Sequence, residues 1–195
     1  MKTKAEKKKN KKRLIAAAII MCLLISLIFT SCKRIEDDEA KAIISNLLDR
    51  SYTLNQIYFG EGLSYNEDEE EITGYCMVSD DEPMNTKEAI VKETNIVFSE
   101  KIASHLIKTY FEGIESYKVA EYARYIETDI GKVLVRKKYT PDVKEVLRYD
   151  NSTIEITKNG KNEIEATVYT VDKSQKITIY IVYEGDSWKL DWYTY

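Results

Sequence analysis

The chain has 195 residues, with 29 Lys+Arg against 33 Asp+Glu and a formal net charge of −4. That average hides a split: 8 of the 29 basic side chains and 1 of the 33 acidic ones lie in residues 1–31, which leaves 21 against 32, a net of −11, for residues 32–195. An acidic body repels a phosphate backbone, which argues against a nucleic-acid partner, and it suits a basic protein surface.

The leader comes first. Residues 1–13 are basic, residues 14–29 form an uncharged apolar run, and Thr30-Ser31-Cys32 closes it. A basic start, a short apolar centre and small residues before a cleavage point make the layout of a secretory signal. A cysteine directly after two small polar residues resembles the bacterial lipoprotein signal, with Cys32 as the lipidated residue. That motif usually carries Leu three positions earlier, where this chain has Phe29. The same run also reads as an uncleaved signal anchor, although it is shorter than a full bilayer span. Both readings leave residues 32–195 outside the membrane as a single extracytoplasmic domain, with residues 1–31 as its signal. With Cys32 used for lipid and Cys22 inside the leader, Cys76 stands alone and no disulfide framework is expected.

Within the domain, residues 36–59 read as a helix. Glu36, Asp37, Asp38 and Glu39 crowd its first turn, and Ala40, Ile44, Leu47, Leu48, Leu54 and Tyr58 form an apolar stripe. Gly60 and Gly62 stop it. Residues 67–71 are all acidic and lack the alternating Asp order of an EF-hand loop, so they read as a solvated loop ahead of a short strand over 72–78. Asp80, Asp81, Glu82 and Pro83 make an acidic turn. Asn85 or Thr86 then caps a helical stretch to Phe111, with a bend near Ser99 and Ile90, Val97, Ile102, Leu106 and Tyr110 facing inward. A hairpin follows over 121–138, with Tyr122, Ile126, Val133 and Val135 in strands and Gly131 at the turn; residues 141–149 read as a loop or one helical turn.

The last forty-odd residues alternate with period two, the mark of half-buried strands. Ile154 and Ile156 share a face, as do Ile164, Ala166 and Val168, then Ile177, Ile179 and Ile181, then Trp188, Leu190 and Trp192. Asn159-Gly160 is placed as a type I′ turn, Asp172–Gln175 as a looser one and Gly185-Asp186 as a second tight turn. The fold class expected is α+β: N-terminal helices packed on a curved antiparallel sheet that ends in a β-meander, in a cystatin-like or NTF2-like outline. Ile154, Ile156, Val168, Ile179, Ile181, Trp188 and Leu190 should form its buried face, with Trp188→Ala costing ~3–5 kcal/mol.

The chemistry-bearing residues are sparse. Cys76 and His105 are a candidate dyad only if the thiol pKa is lowered and a third group orients the histidine, so a buried structural Cys and a surface His is the simpler expectation. No nucleophile elbow, P-loop, dinucleotide fingerprint or zinc-ligand spacing occurs in the sequence. No cofactor or metal is expected. The tyrosines, such as Tyr169, Tyr180 and Tyr183, read as half-buried strand residues.

Four segments carry a wider resemblance: AKAIISNLLDR, YCMVSDDEPMNTKEAI, IGKVLVRKKY, and ITKNGKNEIEATVYTV with VYEGDSWKLDW. Together they resemble the IseA-type proteinaceous inhibitors of peptidoglycan DL-endopeptidases, over most of residues 36–195. The resemblance implies a non-catalytic protein, monomeric, that docks on the NlpC/P60-type cysteine peptidase domain of a cell-wall hydrolase and blocks its cleft. Asp80, Asp81 and Glu82 are the contact residues expected, because their turn precedes the second helix where an acidic loop can project. The alternatives are a small-ligand-binding NTF2-like lipoprotein and a structural accessory domain of an envelope complex. On the lipid, metabolic palmitate labelling should mark the wild-type chain and not Cys32→Ala; equal labelling of both removes the assignment.

Overall fold

The computed structural model describes residues 34–72, 74–115, 120–121, 123–137 and 144–195. The leader with Cys22 and Cys32, Tyr122, and residues 141–143 lie outside these. Residues Glu36–Tyr195 make one compact unit of mixed α+β structure.

Helix α1 spans Asp37–Tyr58, with Asp37, Asp38 and Glu39 in its first turn and Ala40, Ile44, Leu47, Leu48 and Leu54 buried. The acids complement the positive end of the helix dipole, and the stripe supplies the burial that a lone helix lacks. Strand β1 follows at Tyr65–Ile72 and pairs antiparallel with β2, Tyr75–Val78. The acidic run at 67–71 is therefore an edge strand and not a loop. Propensity alone disfavours Glu and Asp in strands, but an edge that repels its own kind resists pairing with a second molecule.

Thr86 caps helix α2, Lys87–Val97, by accepting a hydrogen bond from the Ala89 N–H. The predicted bend is a full break. Phe98 takes extended backbone angles, and helix α3 restarts at Glu100–Glu112. The break is held by sheet pairing. Ser99 N–H donates to the Leu190 carbonyl at 2.8 Å, Phe98 bridges Leu190 in parallel, and the Ser99 hydroxyl donates to Asp191 at 2.6 Å. Gly113, at φ 81, ends α3. After the short ribbon β3 (Ile114–Glu115) and β4 (Ala120–Glu121) come β5 (Tyr125–Glu127) and β6 (Val133–Arg136), turned at Gly131.

The predicted single sheet is in fact two four-stranded sheets. Sheet one runs β1-β2-β6-β5, because β2 pairs with β6 across some sixty residues of sequence, a partner that periodicity does not name. Sheet two is the expected meander, β10-β9-β8-β7: β7 is Tyr149–Asn159, β8 Glu163–Thr170, β9 Lys176–Glu184 and β10 Ser187–Leu190. Its buried face carries Ile154, Ile164, Ala166, Val168, Ile179, Ile181 and Leu190, each less than 5 % exposed, against α1 and α2. Ile156, counted with them in the sequence, is only half-buried.

The turns differ from expectation in one respect. Gly185 and Asp186 both have positive φ, 58° and 67°, so the I′-like turn is there. Neither Asn159 nor Gly160 has positive φ. Gly160 is required for a different reason: its N–H donates to the Glu163 carbonyl, and a Cβ there would stand 2.9 Å from that oxygen.

Two tryptophan assignments change. Trp188 pairs with Tyr183 on the core-facing side, but at the margin of the sheet, where it is half-buried and its ring meets the 46 % exposed Tyr183 edge-on. Trp192 lies beyond the last ladder pair, is 55 % exposed, and packs its ring against Tyr180 on the outer face. Tyr169, Tyr180 and Tyr183 are exposed rather than half-buried.

The end of α1 is gripped by sheet one. Arg124, 4 % exposed, donates to the carbonyls of Tyr58 and Gly60 at 2.9 and 2.8 Å, and Tyr125 Oη donates to the Ile57 carbonyl at 2.7 Å. A second anchor is a buried polar chain: Asn55 Nδ2 donates to both oxygens of Thr194, whose hydroxyl bonds Ser51 Oγ at 3.0 Å. We expect Leu190→Ala to lower unfolding free energy by ~2–5 kcal/mol in denaturant titrations. Trp188→Ala should cost less than ~2 kcal/mol, in line with its half-burial; the reverse order would mean that β10 presents the other face.

Candidate functional site

The acidic turn between β2 and α2 is held by its own hydrogen bonds. Glu82 N–H donates to the Ser79 carbonyl at 3.1 Å, closing the turn, and Glu82 Oε1 accepts from the Ser64 N–H at 2.9 Å. Asp80 pairs with Lys132, with its side chain 78 % exposed, and its carbonyl accepts from Asn85 Nδ2. Asp81 is exposed, its N–H bonded to the Ser79 hydroxyl. The three acids are thus together at the surface. Two of the carboxylates are engaged in positioning the turn, and Asp81 projects from it.

A larger concavity was not legible in the sequence. A cleft of about 920 Å³ opens beside the last turns of α1, between Tyr52 and Gln56 on one wall and Arg148 and the 170–172 turn on the other. The Arg148 guanidinium lies 4.1 Å from the Tyr52 ring centroid. Hydrogen bonds from Arg148 first, then from Gln56, hold the Tyr52 hydroxyl below the ordinary tyrosine range. Lys144, on the same rim, stands 4.2 Å over the Tyr195 ring, which itself lies 3.8 Å from Phe59. Asp172 closes the far end. Its carboxyl is held low, chiefly by the Thr170 hydroxyl and then by the Ser174 backbone and side chain. Cations over aromatic faces, with carboxylates nearby, make a recognition surface. The only signal for it in the sequence is the density of tyrosines, which says nothing of which cation each one meets.

Cys76 is fully buried in β2, paired with Val135, and so is sealed from substrate. His105 sits on the exposed side of α3 with its ring 6.1 Å from Tyr193. The candidate dyad is therefore not a site: a thiol without access cannot act as a nucleophile. Among the described residues no group of three or more His, Cys, Asp or Glu is placed to hold a metal ion. No described helix is long and apolar enough to cross a membrane. Cys32 falls outside the described residues.

Compared with protein-family models, the chain matches none, and compared with curated proteins it matches none either.

Two buried phenols make a pH prediction. Burial pushes the Tyr58 hydroxyl far above the ordinary value, though Thr94 partly offsets it, and pushes Tyr149, whose buried hydroxyl has no hydrogen-bond partner, up to about 12. A raised folded-state pKa gives stability that is complete below the unfolded value of about 10 and is lost as pH rises through the folded one. Denaturation midpoints should therefore fall between about pH 10 and pH 12. Tyr149→Phe should flatten that fall, and at neutral pH it should cost nothing or stabilise by up to ~1 kcal/mol, since it removes an unsatisfied hydroxyl. A loss of more than that at pH 7 would mean that the hydroxyl has a partner.

Proposed function

We propose that this is a non-catalytic, lipid-anchored protein of the outer membrane face that binds and inhibits a cell-wall DL-endopeptidase of the NlpC/P60 type. The observation that carries this reading is the filling of the space between helices and meander. Ile44, Leu47, Leu48 and Leu54 of α1 and Ile154, Ile164, Val168, Ile179 and Leu190 of the meander are each under 5 % exposed, so the space between helices and meander is filled mainly by aliphatic side chains. An NTF2-like ligand protein needs an open, partly polar cavity in that position. A filled layer supports recognition by the outside of the molecule instead, as an inhibitor that docks would use. The resemblance of the four sequence segments points the same way, and the finer architecture we propose is the cystatin-like or NTF2-like outline with this interior closed. The surplus of acid on residues 32–195 suits a basic rim around the enzyme's cleft.

Within the acidic turn the roles divide. Lys132 and the Ser64 N–H hold Asp80 and Glu82, and Asp81 is the residue that offers its carboxylate to a partner. A second reading has one observation in its favour. The cleft at Tyr52 and Arg148 has the size of a small-molecule site, which suits an accessory lipoprotein that carries a polar ligand.

The test is a titration of the protein into a purified NlpC/P60 endopeptidase acting on peptidoglycan, followed by turbidity. Inhibition should reach an equivalence point. Asp81→Lys should weaken it about tenfold with the thermal midpoint unchanged, because a rim charge acts on association and not on the fold. Absence of inhibition across several such enzymes at tens of micromolar would sink the inhibitor reading and leave the cleft as the lead.

A further inference from the structure

The outer face of sheet two holds a second concavity, separate from the acidic turn and from the cleft beside α1. It is a groove of about 460 Å³ over β8 and β9, lined by Tyr180, Trp192, Lys158, Glu163, Glu165 and Asp191, with Lys101 at its margin. Tyr180 is 42 % exposed and Trp192 55 %, so both rings reach water although neither belongs to the core. From this groove we infer a carbohydrate-binding site that takes a chain of pyranose rings.

Three properties carry the inference. The rings of Tyr180 and Trp192 stand 6.5 Å apart at 66°, one as floor and one as wall of an open corner. A pyranose ring shows an apolar C–H face and a polar equatorial rim, so a corner of aromatic faces covers the first and leaves the second free. The acceptors around the corner are already held in place. Asp191 Oδ1 accepts from the Ser99 hydroxyl, Glu163 pairs with Lys158, and Glu165 Oε1 accepts from Thr157 Oγ1 at 3.2 Å. A carboxylate has about four lone-pair sites, so each keeps acceptor capacity for sugar hydroxyls without having to be reorganised.

The third property is charge. Glu163, Glu165 and Asp191 face Lys158 and Lys101, which leaves the groove one negative charge out of balance in a domain whose net is −11. A basic peptide would be drawn to the acidic surface elsewhere, and an anion would be repelled by the whole molecule. An uncharged, hydroxyl-rich chain matches a nearly neutral groove with aromatic faces and fixed acceptors. The site stands independently of the inhibitor reading: it would tether the protein to a glycan whatever it does to a hydrolase.

The experiment titrates the full-length protein with chitohexaose and, separately, cellohexaose, and reads tryptophan fluorescence. The chain has two tryptophans, and a Trp188→Phe background makes Trp192 the sole reporter without touching the groove. A saturable shift is expected with at least one oligosaccharide, unchanged at about 0.5 M NaCl, where exposed charges are screened within a few ångströms. Tyr180→Ala should weaken binding about tenfold at an unchanged thermal midpoint. Glu165→Gln, which leaves the aromatic corner intact, serves as the second variant and should also weaken it. No saturable response to either sugar at millimolar concentration overturns the site, as does wild-type affinity in both variants. A response to oligolysine that disappears in salt would give the groove to a basic peptide instead. Endopeptidase inhibition by Tyr180→Ala, measured alongside, should match wild type, so that failure of one reading is told apart from failure of the other.

Discussion

The architecture depends on how the C-terminal end of α1 is satisfied. A helix leaves its last carbonyls without partners, and this one has no basic side chain in its own last turn. Sheet one supplies what is missing. Arg124 and Tyr125, consecutive on the chain at β5, reach the carbonyls of Ile57, Tyr58 and Gly60 from outside. The guanidinium brings a positive charge to the negative end of the dipole at a buried position, where solvent screens it little. Gly62 is part of the same arrangement. Its φ of 89° lets the chain leave the helix, and a Cβ there would lie 2.5 Å from Arg124 Nη2 and 2.8 Å from Tyr125 Oη. Losing a buried donor at such a place costs about 1–3 kcal/mol for each group left bare, so the contact ties sheet one to the end of α1.

The surface follows from that frame. Beyond the polar groups spent inside the fold at Arg124 and in the Asn55–Thr194–Ser51 chain, polar chemistry of the described residues gathers at the surface: at the acidic turn, at the cation–aromatic rim of Tyr52, Arg148 and Lys144, and at the aromatic corner on sheet two. All three suit binding.

Local patterns were legible in the sequence and long-range pairings were not. The ends of the first helix, the cap at Thr86 and the four strands of the meander come from caps, apolar spacing and turn residues within a few positions of each other. The bend expected near Ser99, by contrast, becomes a full break only through its pairing with Leu190 and Asp191. The pairing of β2 with β6 has no such local cause, which is why one sheet was expected where there are two. The acidic edge strand was misread because its residues favour loops, and only an edge position reverses that preference. Trp192 was misassigned because alternation was continued past Leu190, where the ladder ends. At the candidate sites, the acidic turn was visible as charge, but the roles of Asp80, Asp81 and Glu82 needed Lys132 and Ser64, which are far away in sequence. The Tyr52–Arg148 stack joins residues about a hundred positions apart, beyond the reach of any motif.

The polar latch between Asn55 and Thr194 bridges 139 residues, and the clasp of Ser99 on Asp191 bridges 92. Both receive their second half from residues that follow the whole meander. The meander can form hairpin by hairpin, since its pairings are between neighbours, but the helical layer has no lid until Leu190 and Thr194 arrive. A chain emerging in order, from a ribosome or through a pore, therefore cannot close its interior part-way. It stays open, and able to pass through a narrow channel, until Leu190 and Thr194 have emerged.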